Sequence, residues 1–395
     1  MSQKLVSRNP DLSRLRADGY DIEIAKSNHL LVRDVPYVNC KKEVKRGILV
    51  STLHLAGDAT LAPDTHVAYF VGDCPCTPDG AAIPGVNQNA IEPLDKELMP
   101  NHPVSRKPTI GSYADYYQKM TTYIDIISGP AKEIDPTSTA RTNPIVVPDD
   151  GESVFNYLDT ASTKAGIVVA NDKLAVGKLA IVGLGGTGSF VLDLAAKTPV
   201  EEIHLFDRDT FTNHNAFRSP GAPSLDDLRN KQKKVDYFRD LYSHMRKAII
   251  AHDCFIDEST IDLLHGMAFV FLCIDKGCAK RLIVERLEEW GIPFIDVGMG
   301  IQLNDDSSLG GIFKITTSTP NKRDHVRSLV AFSDGAAINE YSRDIQIADL
   351  SALSAALAVI KWKKLRGFYH DREKEHHSMY TIDGNQLLNE EKHEA

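Results

Sequence analysis

The densest group of residues able to do chemistry opens at a glycine turn, Gly183-Leu184-Gly185-Gly186-Thr187-Gly188-Ser189, directly after the apolar run LAIVG at 179–183. Glycines let a backbone come close to a phosphate. The helix expected next offers unpaired N–H groups and the positive end of its dipole. Asp207 follows the last glycine by about 20 residues, at the end of a second strand-like run, where a carboxylate can hold a ribose hydroxyl. These features alone imply a bound nucleotide, and a nicotinamide-dependent oxidoreductase fits them equally well. The residues beyond Asp207 separate the readings. Asp209, Asn215 and Arg218 follow closely, and Asn215 and Arg218 stand at i, i+3 spacing, one face of a short helix. The Arg218 guanidinium can grip phosphate oxygens with two parallel bonds. Lys231, Lys233 and Lys234 open the next helical stretch, and one of them can meet an α-phosphate as a point charge. Asp275 reads as the carboxyl end of the fourth strand, where a hard oxygen ligand suits Mg²⁺. Donors and cations in this number suit a departing pyrophosphate, whereas a nicotinamide needs a dry pocket.

The elements that must hold these residues follow from the apolar pattern. From Leu179 onward, strand-like runs at 179–183, 202–206, 248–251, 268–274 and 292–297 alternate with helical stretches at 187–197, 226–247 and 278–290. Alternation of this kind predicts a mostly parallel, doubly wound sheet with helices on both faces. A further helix is expected over 348–365. The front of the chain differs. Short alternating runs at 48–55 and 66–71 precede a helical stretch over 113–127 with Tyr116, Tyr117, Met120, Tyr123 and Ile124 at helical spacing. That pattern predicts a compact α+β domain, its tyrosine stripe serving as core or interface. Residues 135–153 carry the Pro, Asp and Gly punctuation of a linker, so the expected domains are 1–150 and 151–395.

The order GxGGxGS, DxD, N-x-x-R, a lysine at a helix start and a strand-terminal Asp resembles the ThiF/MoeB/HesA adenylating enzymes and the ubiquitin-activating enzymes. Gly291-Ile292-Pro293-Phe294-Ile295-Asp296 and Gly310-Gly311-Ile312 extend the match, which spans roughly 164–365. The resemblance implies a Rossmann-like adenylation fold using ATP and Mg²⁺. It implies that Gly183, Gly185, Gly186 and Gly188 cradle the nucleotide and that Asp207 holds the ribose. Asp209, Asn215 and Arg218 would surround the phosphates, and Asp275 would bind Mg²⁺. Lys234 is favoured as the phosphate lysine because Val235, Phe238 and Tyr242 follow it at core spacing; Lys233 is its rival. The implied reaction is adenylation of the C-terminal carboxylate of a ubiquitin-like protein, with a downstream conjugating protein as a further partner and a homodimer as the assembly. In that family an arginine before the first strand reaches into the neighbouring site; Lys164 occupies a comparable place here. Two alternatives stay open: adenylation of a small carboxylate or modified nucleoside, as in the related dehydratases, and a nucleotide-binding scaffold without catalysis.

Composition sets outer limits. A net charge of −9 in 395 residues repels phosphate backbones, which argues against nucleic acid as partner. No apolar run is long enough to span a bilayer and the first ten residues hold no apolar signal segment, so a cytoplasmic protein with reduced thiols is expected. Residues 279–395 contain no cysteine, which rules out a thioester in that segment, and the paired C-x-x-C zinc pattern of many relatives is missing. Cys74-Pro75-Cys76 reads as structural or incidental, with the possibility of an acyl acceptor on Cys74 or Cys76 left open. Cys273 reads as a small hydrophobe in a buried strand, and His376-His377 as a solvated pair.

Overall fold

The computed structural model describes residues 2–25, 27–86, 101–108, 111–148, 151, 153–332 and 345–389. The chain divides into two compact units, one of residues 1–148 with 158–168, the other of residues 149–157 with 169–395.

The first unit contains α1 (Ser2–Arg8), α2 (Pro10–Ala17), β1 (Ile22–Ala25), β2 (His29–Val38), β3 (Val44–Thr52), the small hairpin β4 (Leu55–Ala56) and β5 (Ala59–Thr60), β6 (Val67–Val71), β7 (His102–Ser105), α3 (Tyr116–Ile134) and α4 (Thr160–Lys164). Its main sheet has the order β1-β2-β3-β6-β7 and is antiparallel throughout. Helix α3 packs on β2 and β3. Tyr116, Met120 and Tyr123 are fully buried beneath it, so the aromatic stripe is core. The helix begins later than its spacing predicts, because the Asp115 carboxylate accepts the Gln118 amide at 2.7 Å and caps it there, and it runs on to Ile134.

The second unit holds α5 (Val168–Asp172), β8 (Lys178–Val182), α6 (Gly186–Ala196), β9 (Glu202–Phe206), α7 (Asn213–Ala216), α8 (Leu225–Asn230), α9 (Lys234–Ser243), β10 (Ile249–His252), β11 (Phe269–Leu272), α10 (Gly277–Trp290), β12 (Phe294–Leu303), β13 (Leu309–Ser318), α11 (Val326–Leu329), α12 (Ala348–Leu365), β14 (His377–Thr381) and β15 (Gln386–Asn389). These strands form one sheet, β10-β9-β8-β11-β12-β13-β14-β15. The first five are mutually parallel and the last three run antiparallel. Strands β8 and β11 are buried on both faces, which explains their unbroken apolar runs. One face packs against α6, α9 and α12, the other against α10.

The chain runs from β8 outward to β9 and β10, then returns to place β11 on the other side of β8. The order reverses between β8 and β11, and the carboxyl ends of those strands bound the crevice where such sheets take ligands.

Two expected elements differ. The helix predicted over 226–247 is two helices, because Lys231 adopts a left-handed conformation (φ 47°) and ends α8. The segment after it pairs with the strand-end loop: Phe211 N donates to Gln232 O at 2.8 Å, and Lys234 N to Asp209 O at 2.9 Å. Periodicity cannot see such a break, since the lysine run is helix-compatible on either side. The fourth strand ends at Leu272, so Asp275 stands in the loop before α10 instead of closing the strand.

Candidate nucleotide site

The glycine turn sits at the carboxyl end of β8, and its glycines do different jobs. Gly183 has φ 91°, and a Cβ there would lie 2.6 Å from Cys273 O. A Cβ on Gly188 would fall 1.8 Å from Gly183 O. Both are demanded by the chain packing against itself. At Gly186 a Cβ would meet Ser351 Oγ of α12 at 2.4 Å. Gly185, which precedes the first turn of α6, has only Gln346 Oε1, at 3.5 Å, near its missing Cβ. Of the four, Gly185 presents open backbone at a helix N-terminus, the place an anion takes.

Asp207 is 6% exposed and locks the turn. One of its oxygens accepts Leu184 N at 2.7 Å and the other accepts Asp209 N at 2.8 Å. A carboxylate has about four lone-pair sites, so two remain for a hydroxyl. Lys234, 5% exposed at the first position of α9, places Nζ 2.7 Å from Asp209 Oδ2 and 3.6 Å from Asp207 Oδ2. The hydrogen bond from Lys234 is the main reason the Asp209 carboxyl titrates below its usual range, with Lys276 and Lys233 adding smaller pulls. Lys233 turns elsewhere: its Nζ donates to Arg208 O at 2.7 Å and pairs with Asp253 at 3.2 Å.

Asn215 and Arg218 hold the most informative atoms. Asn215, 3% exposed, uses its side-chain oxygen to accept Thr212 N and Thr212 Oγ1, at 2.9 and 3.0 Å. That fixes the amide, and its Nδ2 is left buried without a partner among the described residues. Arg218 Nε is likewise buried and unpartnered. Leaving a buried donor unmet costs about 1–3 kcal/mol, more for a charged group. The short helix expected to carry both residues on one face ends at Ala216, so Arg218 follows it in a bend, its amide donating to Asn215 O at 3.0 Å. The His214 imidazole registers the local field. Burial first, then the positive charges of Arg218 and Lys234, hold it below its ordinary pKa.

Asp275 is exposed, two residues beyond Cys273, whose carbonyl lies against Gly183. No group of three or more His, Cys, Asp or Glu among the described residues could hold a metal by itself. A single carboxylate at this crevice fits Mg²⁺ that arrives with a nucleotide and keeps phosphate oxygens and water as its other ligands. Lys276 acts on Asp209 across the site and sets its Nζ 4.8 Å from the Phe255 ring centroid. Sequence reasoning passed over this cation, although it stands beside Asp275.

Cys273 is half-buried and its thiol is pushed up to about 12 by burial first, which fits a neutral packing role. Cys76 is buried in the first unit, its thiol raised to about 11 for the same reason. His376-His377 is not the solvated pair expected. His377 starts β14 and contacts Thr316 Oγ1 at 3.0 Å, while His376 contacts Thr319 Oγ1 at 3.3 Å. They line a small cleft with Lys361, Lys364 and Glu375. Its charges largely answer one another: Lys361 meets Asp371 at 3.0 Å and Lys364 meets Glu375 at 2.8 Å. No helix among the described residues is long and apolar enough to cross a membrane.

Residues 162–330 match the ThiF family model, and residues 10–160 match a domain of unknown function, DUF6791. No curated protein matches the chain. Similar solved structures include E. coli MccB with MccA-N7isoASN, at 18% identity over 58% of this chain and 69% of that one, TM-score 0.46. PaaA is similar at 19% identity over 56% of this chain and 75% of that one, TM-score 0.44.

Proposed function

From the ThiF-family domain carried by residues 162–330, we propose that this chain uses MgATP to adenylate the C-terminal carboxylate of a ubiquitin-like protein, giving an acyl adenylate and pyrophosphate. The observation that supports the reading is the pair of buried donors without partners among the described residues, Asn215 Nδ2 and Arg218 Nε, in the segment after the strand that ends at Asp207. A carboxylate and an α-phosphate repel each other. Arg218 and Lys234 offset that charge as the phosphorus becomes five-coordinate, because preorganised cations act at full strength in a partly desolvated site. Lys234 exchanges part of its contact with Asp209 for phosphate oxygen, while Asp207 keeps the glycine turn in place. Mg²⁺ held by Asp275 would screen the phosphates of the leaving group.

A feature of β12 supports a polypeptide tail as substrate. Gly298 and Gly300 alternate along the strand on the same face as Asp296, and a Cβ at either would meet nothing within 4 Å. They form a flat stretch of sheet, suited to an extended chain ending in small residues. The first unit would recruit the substrate or a downstream conjugating protein, raising its effective concentration at the second. A homodimer is the assembly this reading favours.

The test is ATP–pyrophosphate exchange with ubiquitin-like proteins in one arm and small carboxylates in another. Exchange that needs an intact substrate tail and is lost when its last residues are removed supports the proposal. Exchange with small carboxylates alone moves the substrate class, and nucleotide binding without exchange in either arm leaves a scaffold.

A further inference from the structure

Beneath the loop that carries Asp275, the apolar layer between the sheet and α10 is interrupted by one ion pair. Lys280 of α10 and Asp296 of β12 are each 4% exposed, and Nζ lies 2.8 Å from Oδ1. Around them Leu272, Ile283, Val284, Leu287 and Phe294 are completely buried. The carboxyl is pushed up by burial and pulled down by Lys280; the contact is one of charge at short range, since among the described residues no donor, Lys280 included, meets Oδ1 in hydrogen-bond geometry. A buried ion pair of this kind is weak evidence for stability, since well-packed apolar residues of similar volume often hold such a site equally well or better. Its position suggests what it is for. In the parallel register Asp296 lies beside Leu272, the last residue of β11, and Lys280 stands in the first turn of α10, its amide bonded to Lys276 O at 3.1 Å. The residues between, Cys273 to Lys276, form the loop that faces the glycine turn.

We infer that Lys280 and Asp296 are positioning residues: their contact pins the first turn of α10 to the end of β12 and so fixes the loop bearing Asp275 and Lys276 against the nucleotide crevice. Apolar groups fill space but slide, whereas an ion pair at 2.8 Å in a low-dielectric layer has one arrangement. Asp275 has no side-chain partner among the described residues to hold it, so its placement depends on the loop beneath it. The inference rests on the adenylation reading for its functional consequence, but the pinning itself does not.

The experiment uses the full chain without nucleotide, then with ATP. Lys280→Met/Asp296→Leu replaces both charges and avoids the unpaired buried charge that either single change would leave; Lys280→Arg keeps the pair. In the double variant, amides of residues 273–277 should exchange with solvent at least tenfold faster, while the protein melts within a few degrees of the natural chain. Magnesium should strengthen its ATP binding about tenfold less than in the natural chain, with affinity for magnesium-free ATP little changed, and Lys280→Arg should restore both readouts. Unchanged exchange at 273–277 in a folded double variant overturns the pinning. Faster exchange with an unaltered magnesium effect overturns the link to Asp275. Absence of any ATP binding by the natural chain counts against the adenylation reading instead, and the exchange data still decide the pinning.

Discussion

At the scale of single residues, the site turns on which cation faces the phosphates. Lys233 and Lys234 are neighbours, yet the break between α8 and α9 sends them in different directions, one to Arg208 O and Asp253, the other into the Asp207–Asp209 corner. Lys234→Ala should therefore lower adenylation by about 10²–10³-fold, as should Arg218→Ala and Asp275→Ala, whereas Lys233→Ala should change it by less than about threefold. Initial rates of ATP–pyrophosphate exchange separate these outcomes. Equal losses for the two lysine variants would mean that the observed orientation is not the working one. Sequence spacing favoured Lys234 from the core residues after it, and the fold gives the two lysines different surroundings. The turn at Lys231 makes Lys234 the first residue of its helix, held by Asp209 through backbone and side chain alike.

At the scale of elements, the glycine turn divides into positions closed by packing and one left open, the one that would serve a ligand under the proposed function. The motif alone marks four equivalent positions. In the structure, a methyl at Gly188 collides with backbone 1.8 Å away, while one at Gly185 meets only the far end of Gln346. Gly188→Ala should cost stability severely, of the order of 3 kcal/mol or more, since backbone cannot move aside. Gly185→Ala should fold with a melting temperature close to that of the natural chain and bind ATP at least tenfold more weakly. Thermal unfolding and titration calorimetry on the two variants test the division, and a Gly185→Ala protein with normal ATP affinity would show that the phosphates lie elsewhere.

At the scale of the whole molecule, each unit has its own core and its own weak point. In the first unit Lys119 is completely buried, with Ser51 Oγ at 2.8 Å, and burial lowers its pKa to about 8, Asp64 pulling slightly the other way. The unfolded chain holds this proton up to its ordinary pKa near 10.4, so between about 8 and 10 the unfolded state binds more protons and stability rises with pH. Below about pH 8 the buried charge costs on the order of 3 kcal/mol relative to an unshifted lysine. Lys119→Met should raise the melting temperature of the first unit at pH 7 and flatten that rise with pH. Saturating ATP should raise the transition of the second unit alone. Scanning calorimetry reads both effects, and an ATP shift confined to the first unit would place the nucleotide there.

The amino-acid sequence by itself determined the alternation of strands and helices and the glycine turn, and it named most of the candidate site residues. Each of these is written locally, in two- and four-residue apolar periods and in residue types no other chemistry needs together. What only the tertiary structure decided are facts of long-range contact. Cys273 O presses on Gly183, Asp209 takes Lys234, Lys280 finds Asp296, and the donors of Asn215 and Arg218 stay unanswered because their surroundings supply no acceptor. Residues some 16 to 90 positions apart along the chain share these contacts, and a pattern with a period of a few residues carries no information about which of them will meet.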